Sequence, residues 1–287
     1  MRSYEAWVID AEARGLKISE VVYQSEMENL QHSEQVLFDR MRKNLKVMRE
    51  SVATGLSSER RSLSGLVGGD AAKVEARRKT GESLVGDQIS GAIARALAVA
   101  EVNACMGKIV AAPTAGSCGV IPAVLLTIEE TRQVSEQELL LALFTAAGVG
   151  MIIAERANVS GAEGGCQAEI GSAAAMAAAA AVELAGGTPR QTAEAAAIAM
   201  KSMLGLVCDP VGGYVEVPCV KRNATGATIA LTAAEMALSG VKSAIPIDEV
   251  IDAMDEIGKQ MPCTLKETAQ GGLAMTPTGR RIQADFL

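Results

Sequence analysis

Gly164-Gly-Cys-Gln-Ala-Glu-Ile-Gly-Ser-Ala-Ala-Ala-Met-Ala-Ala-Ala-Ala-Ala-Val-Glu-Leu184, closed by Ala185-Gly-Gly-Thr-Pro189, is the stretch whose reading decides the fold. Alanine is the best helix former because ordering it freezes no side chain. Ala168 to about Leu184 is therefore expected to be helical. Gly186 and Gly187 end that helix, and Thr188, Pro189 and Gln191 mark the start of the next, which runs to about Leu204. Side chains this small favour helices packed closely against one another.

Outward from this pair the apolar spacing stays helical. Ser135-Glu-Gln-Glu138 is a capping box opening a helix over about 136–157, with Leu139, Leu143, Ala146, Val149 and Ile153 as its buried stripe. A long amphipathic helix with at most one break is expected over about 18–54, and another, capped by Asp87, over about 89–106. A further helix begins near Gly119. Beyond the alanine run, helices are expected over about 223–238, with Asn223 as a candidate cap, and over about 247–260. Residues 55–86 form a Gly- and Ser-rich bent connection with a short helix, and a polar tail starts at about 275. Only Val215–Val220 alternates as a strand would. The fold class is all-α: a single compact domain over 1–287, of about nine or ten helices, with Gly/Pro-rich loops carrying the cysteines.

Composition narrows the function classes. With 287 residues, 49% of them hydrophobic, the chain can bury a sizeable core, and 2% aromatic residues leave that core to Ala, Leu, Ile, Val and 13 Met. A net charge of -7 argues against a nucleic-acid partner, which would need clustered Lys and Arg. No apolar leader follows Met1, and the alanine run at 173–181 is too short to span a bilayer, so no membrane partner and a cytoplasmic location are expected. Six cysteines there would be reduced, which favours metal binding or catalysis over disulfides.

Three of those cysteines share a setting. Cys166 follows Gly164-Gly165, Cys208 precedes Asp209-Pro210, and Cys219 follows Pro218, so each stands at a turn. Their spacing lacks the paired CxxC of zinc ribbons and bacterial ferredoxins. The residues alone leave two readings open: a metal or cluster site, or scattered structural thiols of the kind Cys105 represents. A closed zinc site would need a fourth ligand, with Cys105, Cys118 and Cys263 remaining. A [4Fe-4S] cluster on three thiolates would keep one iron open to substrate. The loop Ala112-Pro-Thr-Ala-Gly-Ser-Cys-Gly119 leads into a helix start, where backbone NH groups and the hydroxyls of Thr114 and Ser117 form a candidate anion pocket, or else an ordinary capped turn. His32, the sole histidine, lies among Gln31, Ser33 and Glu34 and reads as a surface residue. Glu163 and Glu169 are candidate bases only if their surroundings raise their pKa.

Five motifs in order, Ala112–Gly119, Gly165–Gly171, Cys208–Gly213, Val217–Asn223 and Lys266–Ala274, resemble the iron-sulfur-dependent L-serine dehydratases, specifically the separate α subunit of the two-subunit bacterial form. The resemblance covers about residues 20–275. It implies a [4Fe-4S] cluster held by Cys166, Cys208 and Cys219, with Cys118 left out. It implies dehydration of L-serine to pyruvate and ammonia in amino-acid catabolism and gluconeogenesis, the open iron acting as Lewis acid on the serine hydroxyl. Substrate binding would fall to Thr114, Gly116, Ser117, Gly119 and Asn223, with Lys221 and Arg222 as supporting groups. The resemblance also implies a hetero-oligomer with a β subunit, from which the general base is expected. Some members end in a cysteine that caps the open iron, whereas this sequence ends Ala-Asp-Phe-Leu. The alternatives are a helical subunit with structural zinc or no metal, and another cluster-dependent hydro-lyase acting on a hydroxy acid.

Overall fold

The alanine run is the central helix. Ala173–Ala175 and Ala177–Ala180 are wholly inaccessible, and four other helices lie against them. The computed structural model describes residues 3–286, and among these it contains thirteen α-helices and no β-sheet. They are α1 (Tyr4–Arg14), α2 (Ile18–Leu30), α3 (Glu34–Ser57), α4 (Asp70–Lys79), α5 (Gly86–Ala104), α6 (Val120–Arg132), α7 (Glu136–Arg156), α8 (Gly161–Gly164), α9 (Ser172–Leu184), α10 (Pro189–Lys201), α11 (Cys219–Leu238), α12 (Ile247–Gln260) and α13 (Pro277–Phe286). α9 is sheathed by α6, α7, α10 and α11. With methyl groups on every side, it lets all four neighbours approach closely, which is where the aromatic-poor composition leads.

The all-α class holds, while the helix count exceeds nine or ten. α1 and α13 account for part of the difference. α1 carries a cap at each end: Ser3 Oγ accepts from the Ala6 NH, and Gly15 takes the left-handed conformation at φ 66°. Asp248 of α12 grips its start, accepting from the NH groups of Tyr4 and Glu5 at 3.1 and 3.0 Å. α13 replaces most of the polar tail expected from about 275. The helix expected over 18–54 is two helices, α2 and α3, separated where Gln31 turns left-handed at φ 51°. His32 lies in that break. Asp87 is not a cap but sits in the first turn of α5, where it accepts from Arg78 at 3.0 Å. Val215–Val220 forms no strand: it is a turn running into α11, and the one isolated bridge in this region joins Cys208 to Lys266.

Both expected capping boxes are present. Ser135 and Glu138 cap α7, and Thr188 and Gln191 cap α10. α7 is long and apolar enough to cross a membrane, the one such helix among the described residues; its stripe Leu139, Leu143, Ala146, Val149 and Ile153 is buried inside the protein. Phe144 of α7 stacks with Tyr23 of α2 and Phe38 of α3 at centroid distances of 5.8 and 5.0 Å. α3 crosses α5 where Gly55 meets Ala98. A Cβ on Gly55 would fall 2.2 Å from the Ala98 carbonyl oxygen. Gly55→Ala should therefore destabilise the protein despite the roughly 1 kcal/mol of helix propensity alanine adds. A net loss of about 2–3 kcal/mol is expected, a fall of roughly 4–12 °C in Tm for a chain this size, measured by thermal melting.

Candidate functional site

Cys166, Cys208 and Cys219 come from three different elements, and all three are buried close enough to feel one another's charge. Cys166 follows α8 and the left-handed Gly165 (φ 78°), and precedes a single π-helical turn, Gln167–Gly171, that runs directly into α9. Such turns displace one residue from the regular helix face. Here the turn carries Glu169. Cys208 lies on the connection after α10, and its NH and carbonyl are bonded at 2.8 Å to Leu265 and Glu267 respectively. Cys219 is the first residue of α11, after a cis Val217–Pro218 bond.

Each thiol is at most 8% exposed. Burial first, then the arginine and carboxylate around it, leaves Cys166 raised to about 11. Burial, then repulsion from Cys166, brings Cys219 to about 12. Cys208 is raised as well, by burial and by Cys166, Glu169 and Cys219. Each thiol thus lies within electrostatic reach of the other two. Cys118 is also raised to about 12, but by burial alone; its thiol points at the Val99 carbonyl, 4.0 Å away, in the helical core. Cys105 is half-exposed and Cys263 exposed. Cys118 thus stands apart from the three mutually interacting thiols, in the helical core.

Glu169 joins the thiols and Glu163 does not, being exposed on α8. The Thr114 hydroxyl donates to Glu169 Oε1 at 2.6 Å. Burial pushes this carboxyl above the usual carboxylate range, more than the Thr114 bond lowers it. Two glycines make room for it. A Cβ on Gly161 would lie 2.6 Å from Glu169 Oε2 and 3.0 Å from Cys208 Sγ, and one on Gly116 would lie 3.0 Å from Oε1. Thiols, carboxylate and loop hydroxyl thus border one space.

The loop at 112–119 is rigid, and its parts differ in access. Thr114 and Gly116 are half-exposed, whereas Ser117 is wholly buried, its hydroxyl bonded back to Thr114. Asn223 is 1% exposed and fully engaged: Oδ1 accepts from the Gly119 NH at 2.9 Å, and Nδ2 donates to the carbonyls of Gly116 and Cys219 at 2.8 and 3.0 Å. It is not a helix cap, because α11 begins four residues earlier. Of the residues expected among the substrate contacts, Ser117, Gly119 and Asn223 are buried and hydrogen-bonded within the protein, and Thr114 and Gly116 are partly exposed. A Cβ on Gly119 would fall 2.4 Å from the Ala96 carbonyl oxygen, which fixes the loop against α5. Lys221 points outward to Asp70 at 3.0 Å.

Sequence reasoning missed three residues that shape the pocket. Gln167, 1% exposed, accepts from the Gly205 NH at 2.8 Å and donates to the Met254 carbonyl at 2.9 Å, joining the π turn to the Cys208 connection and α12. Gly161 supplies clearance. Asp209, 4% exposed, accepts from the Leu273 NH at 2.8 Å and so anchors the Lys266–Ala274 segment beside Cys208. For Gln167 and Asp209 the one available signal was adjacency to Cys166 and Cys208 within the motifs; Gly161 lies outside them and carried none.

The sequence profile described as serine dehydratase alpha chain matches residues 13–274. A probable L-serine dehydratase alpha chain of Bacillus subtilis (strain 168) is 54% identical over 266 residues, covering 93% of this chain and 88% of the relative. The L-serine dehydratase alpha chain of Peptoniphilus asaccharolyticus is 43% identical over 274 residues, covering 96% and 94%. An L-serine dehydratase of Escherichia coli (strain K12) is 48% identical over 182 residues, which are 63% of this chain and 40% of that longer protein. With the match spanning nearly the whole chain and every motif around the three thiols, the protein belongs to the serine dehydratase alpha chain family.

Proposed function

We propose that this chain is the cluster-bearing α subunit of an L-serine dehydratase, acting with a β subunit to convert L-serine to pyruvate and ammonia. The observation that carries the reading is the convergence of Cys166, Cys208 and Cys219 with Glu169 in one buried pocket, in a chain whose relatives bear that enzyme's name. Among the described residues, no three His, Cys, Asp or Glu are gathered tightly enough to hold a single metal ion. Thiolates sharing one tetrahedral zinc would stand about 4 Å apart. Thiolates bound to different irons of one [4Fe-4S] cluster need no such closeness, and three buried cysteines with no histidine nearby are the donor type such a cluster takes.

When bound, the cluster supplies a Lewis acid for the departing hydroxyl. The rest falls to the chain's own groups. Elimination removes the α-proton and hydroxide from serine, giving aminoacrylate, which tautomerises to an imine and hydrolyses. The partly exposed turn at Thr114–Gly116 borders Glu169, and the Gly116 NH is the donor it can offer a substrate carboxylate. The Thr114 hydroxyl also fixes Glu169, whose burial gives it a proton affinity suited to acid-base work. Glu169 is the base this chain can offer, in competition with a base from the β subunit.

The test is anaerobic reconstitution of the purified chain with ferrous iron and sulfide, followed by assays with serine, threonine and malate in the presence of its β subunit. Broad visible absorbance with about four irons per chain, and pyruvate from serine, are expected. Stoichiometric zinc without absorbance, or turnover of malate alone, would overturn the reading.

A further inference from the structure

Arg222 stands one turn beyond Cys219 on α11, and its guanidinium reaches the other two cysteine-bearing segments. Nη1 donates to the Val207 carbonyl at 2.8 Å, and Nη2 to Asp209 Oδ1 at 2.9 Å, so the residues on both sides of Cys208 are bonded to it. Its positive charge also reaches the Cys166 thiol, whose pKa it lowers against the larger effect of burial. Asp209 extends the connection: its other oxygen accepts from the Leu273 NH at 2.8 Å, and a Cβ on Gly272 would fall 2.4 Å from that oxygen. The Arg222 and Asp209 side chains are 17% and 5% exposed. The neighbours of Arg222 in sequence are employed elsewhere, Lys221 on Asp70 and Asn223 on the 116–119 loop.

A solvated Lys-Arg pair is the ordinary reading of Lys221-Arg222, and it describes only the first. A largely buried arginine whose donors brace the residues on both sides of Cys208 costs desolvation, which its partners must offset. Its planar fork fixes the directions of those partners, as a lysine could not.

We infer that Arg222 is the positioning residue of the thiol pocket. It sets the spacing of the Cys166, Cys208 and Cys219 segments, offsets part of the negative charge that three thiolates bring together, and makes the Cys166 corner of the bound cluster electronically distinct from the other two. The inference rests on the cluster reading above. A positive charge beside one cluster thiolate would favour the reduced state, and a fixed spacing of the ligand segments would strengthen retention of the iron.

The experiment compares wild type, Arg222→Lys and Arg222→Gln after anaerobic reconstitution with ferrous iron and sulfide. Cluster reduction potential and the rate of iron loss to a chelator are read alongside Tm. Arg222→Gln is expected to have a more negative potential and about 10- to 100-fold weaker iron retention. Arg222→Lys keeps the charge without the fork; it should recover most of the potential but little of the retention. If Arg222→Gln does not fold, Arg222→Lys carries the test through that split. Variants with a lower Tm but wild-type potential and iron loss would make Arg222 a purely structural brace and overturn the inference. A wild-type chain that takes up no cluster would overturn the functional reading itself, and this inference with it.

Discussion

Cys208→Ala is expected to leave a folded, helical chain that binds far less iron and has lost serine turnover by a factor on the order of 10³, since several kcal/mol of Lewis-acid stabilisation go with the cluster. The fold should survive because Cys208 is a small buried side chain on a connection, and its backbone bonds to Leu265 and Glu267 remain. Cys118→Ala is the matched control. Cys118 is as buried as Cys208 and likewise raised, yet it packs against Val99 in the core. Its loss should cost about 1 kcal/mol of stability with iron content and turnover unchanged. Circular dichroism, iron analysis and a pyruvate assay separate the two outcomes. Equal iron content in Cys208→Ala and wild type would remove Cys208 from the ligand set. Loading has a pH signature of its own. Cys166 and Cys219 must give up protons held to about 11 and 12, so assembly should quicken as pH rises from 7 to 9. The same shifts mean that the apo chain, which keeps these thiols protonated more firmly than an unfolded chain does, loses stability as pH rises through about 9 to 12.

How much of this was legible in the sequence depended on the range of the interactions. Helices announced by local chemistry were legible almost to the residue: Ser135 with Glu138 and Thr188 with Gln191 are contacts within one turn. One break in the helix over 18–54 was allowed for, but its place at Gln31 was not legible, because a left-handed glutamine carries no glycine or proline signal, and only Ser33 hinted at a new start. The alternation over Val215–Val220 misled because a strand needs a partner, and the backbone there turns into α11 instead. At the site, the three thiols could be singled out by their turns and by the motifs. Their convergence could not, since it depends on contacts between residues far apart in the chain. Thr114 meets Glu169 across 55 positions, and Asn223 meets Gly116 across 107. Residue type alone also could not separate contacts from braces. Ser117 and Asn223 look like ligand donors until the loop's own backbone is seen to occupy them.

Glu169→Gln tests where the base resides. Glutamine matches the carboxylate in shape, and its carbonyl can still accept the Thr114 hydroxyl, so the pocket between Gly116 and Gly161 should keep its form. What is lost is the ability to take up a proton. If Glu169 removes the α-proton, kcat should fall about 10²- to 10⁴-fold with KM little changed, and iron content should equal that of wild type. The pH dependence sharpens the test. Burial raises the folded-state pKa of Glu169 above its unfolded value, so the basic form is gained, and activity rises, as pH passes upward through the raised value. That acid limb of the kcat profile should be absent from the residual activity of the variant. Stability runs the opposite way. A carboxyl with a raised pKa contributes its stability below the unfolded value and loses it as pH climbs through the folded one, so above the unfolded value wild type carries the cost of desolvating this carboxyl. Glutamine removes that cost, and Glu169→Gln should melt no lower than wild type at pH 7 while working far more slowly. A rise in stability paired with a fall in kcat marks a residue kept for chemistry rather than for the fold. An unchanged kcat, with iron and Tm as in wild type, would instead assign the base to the β subunit.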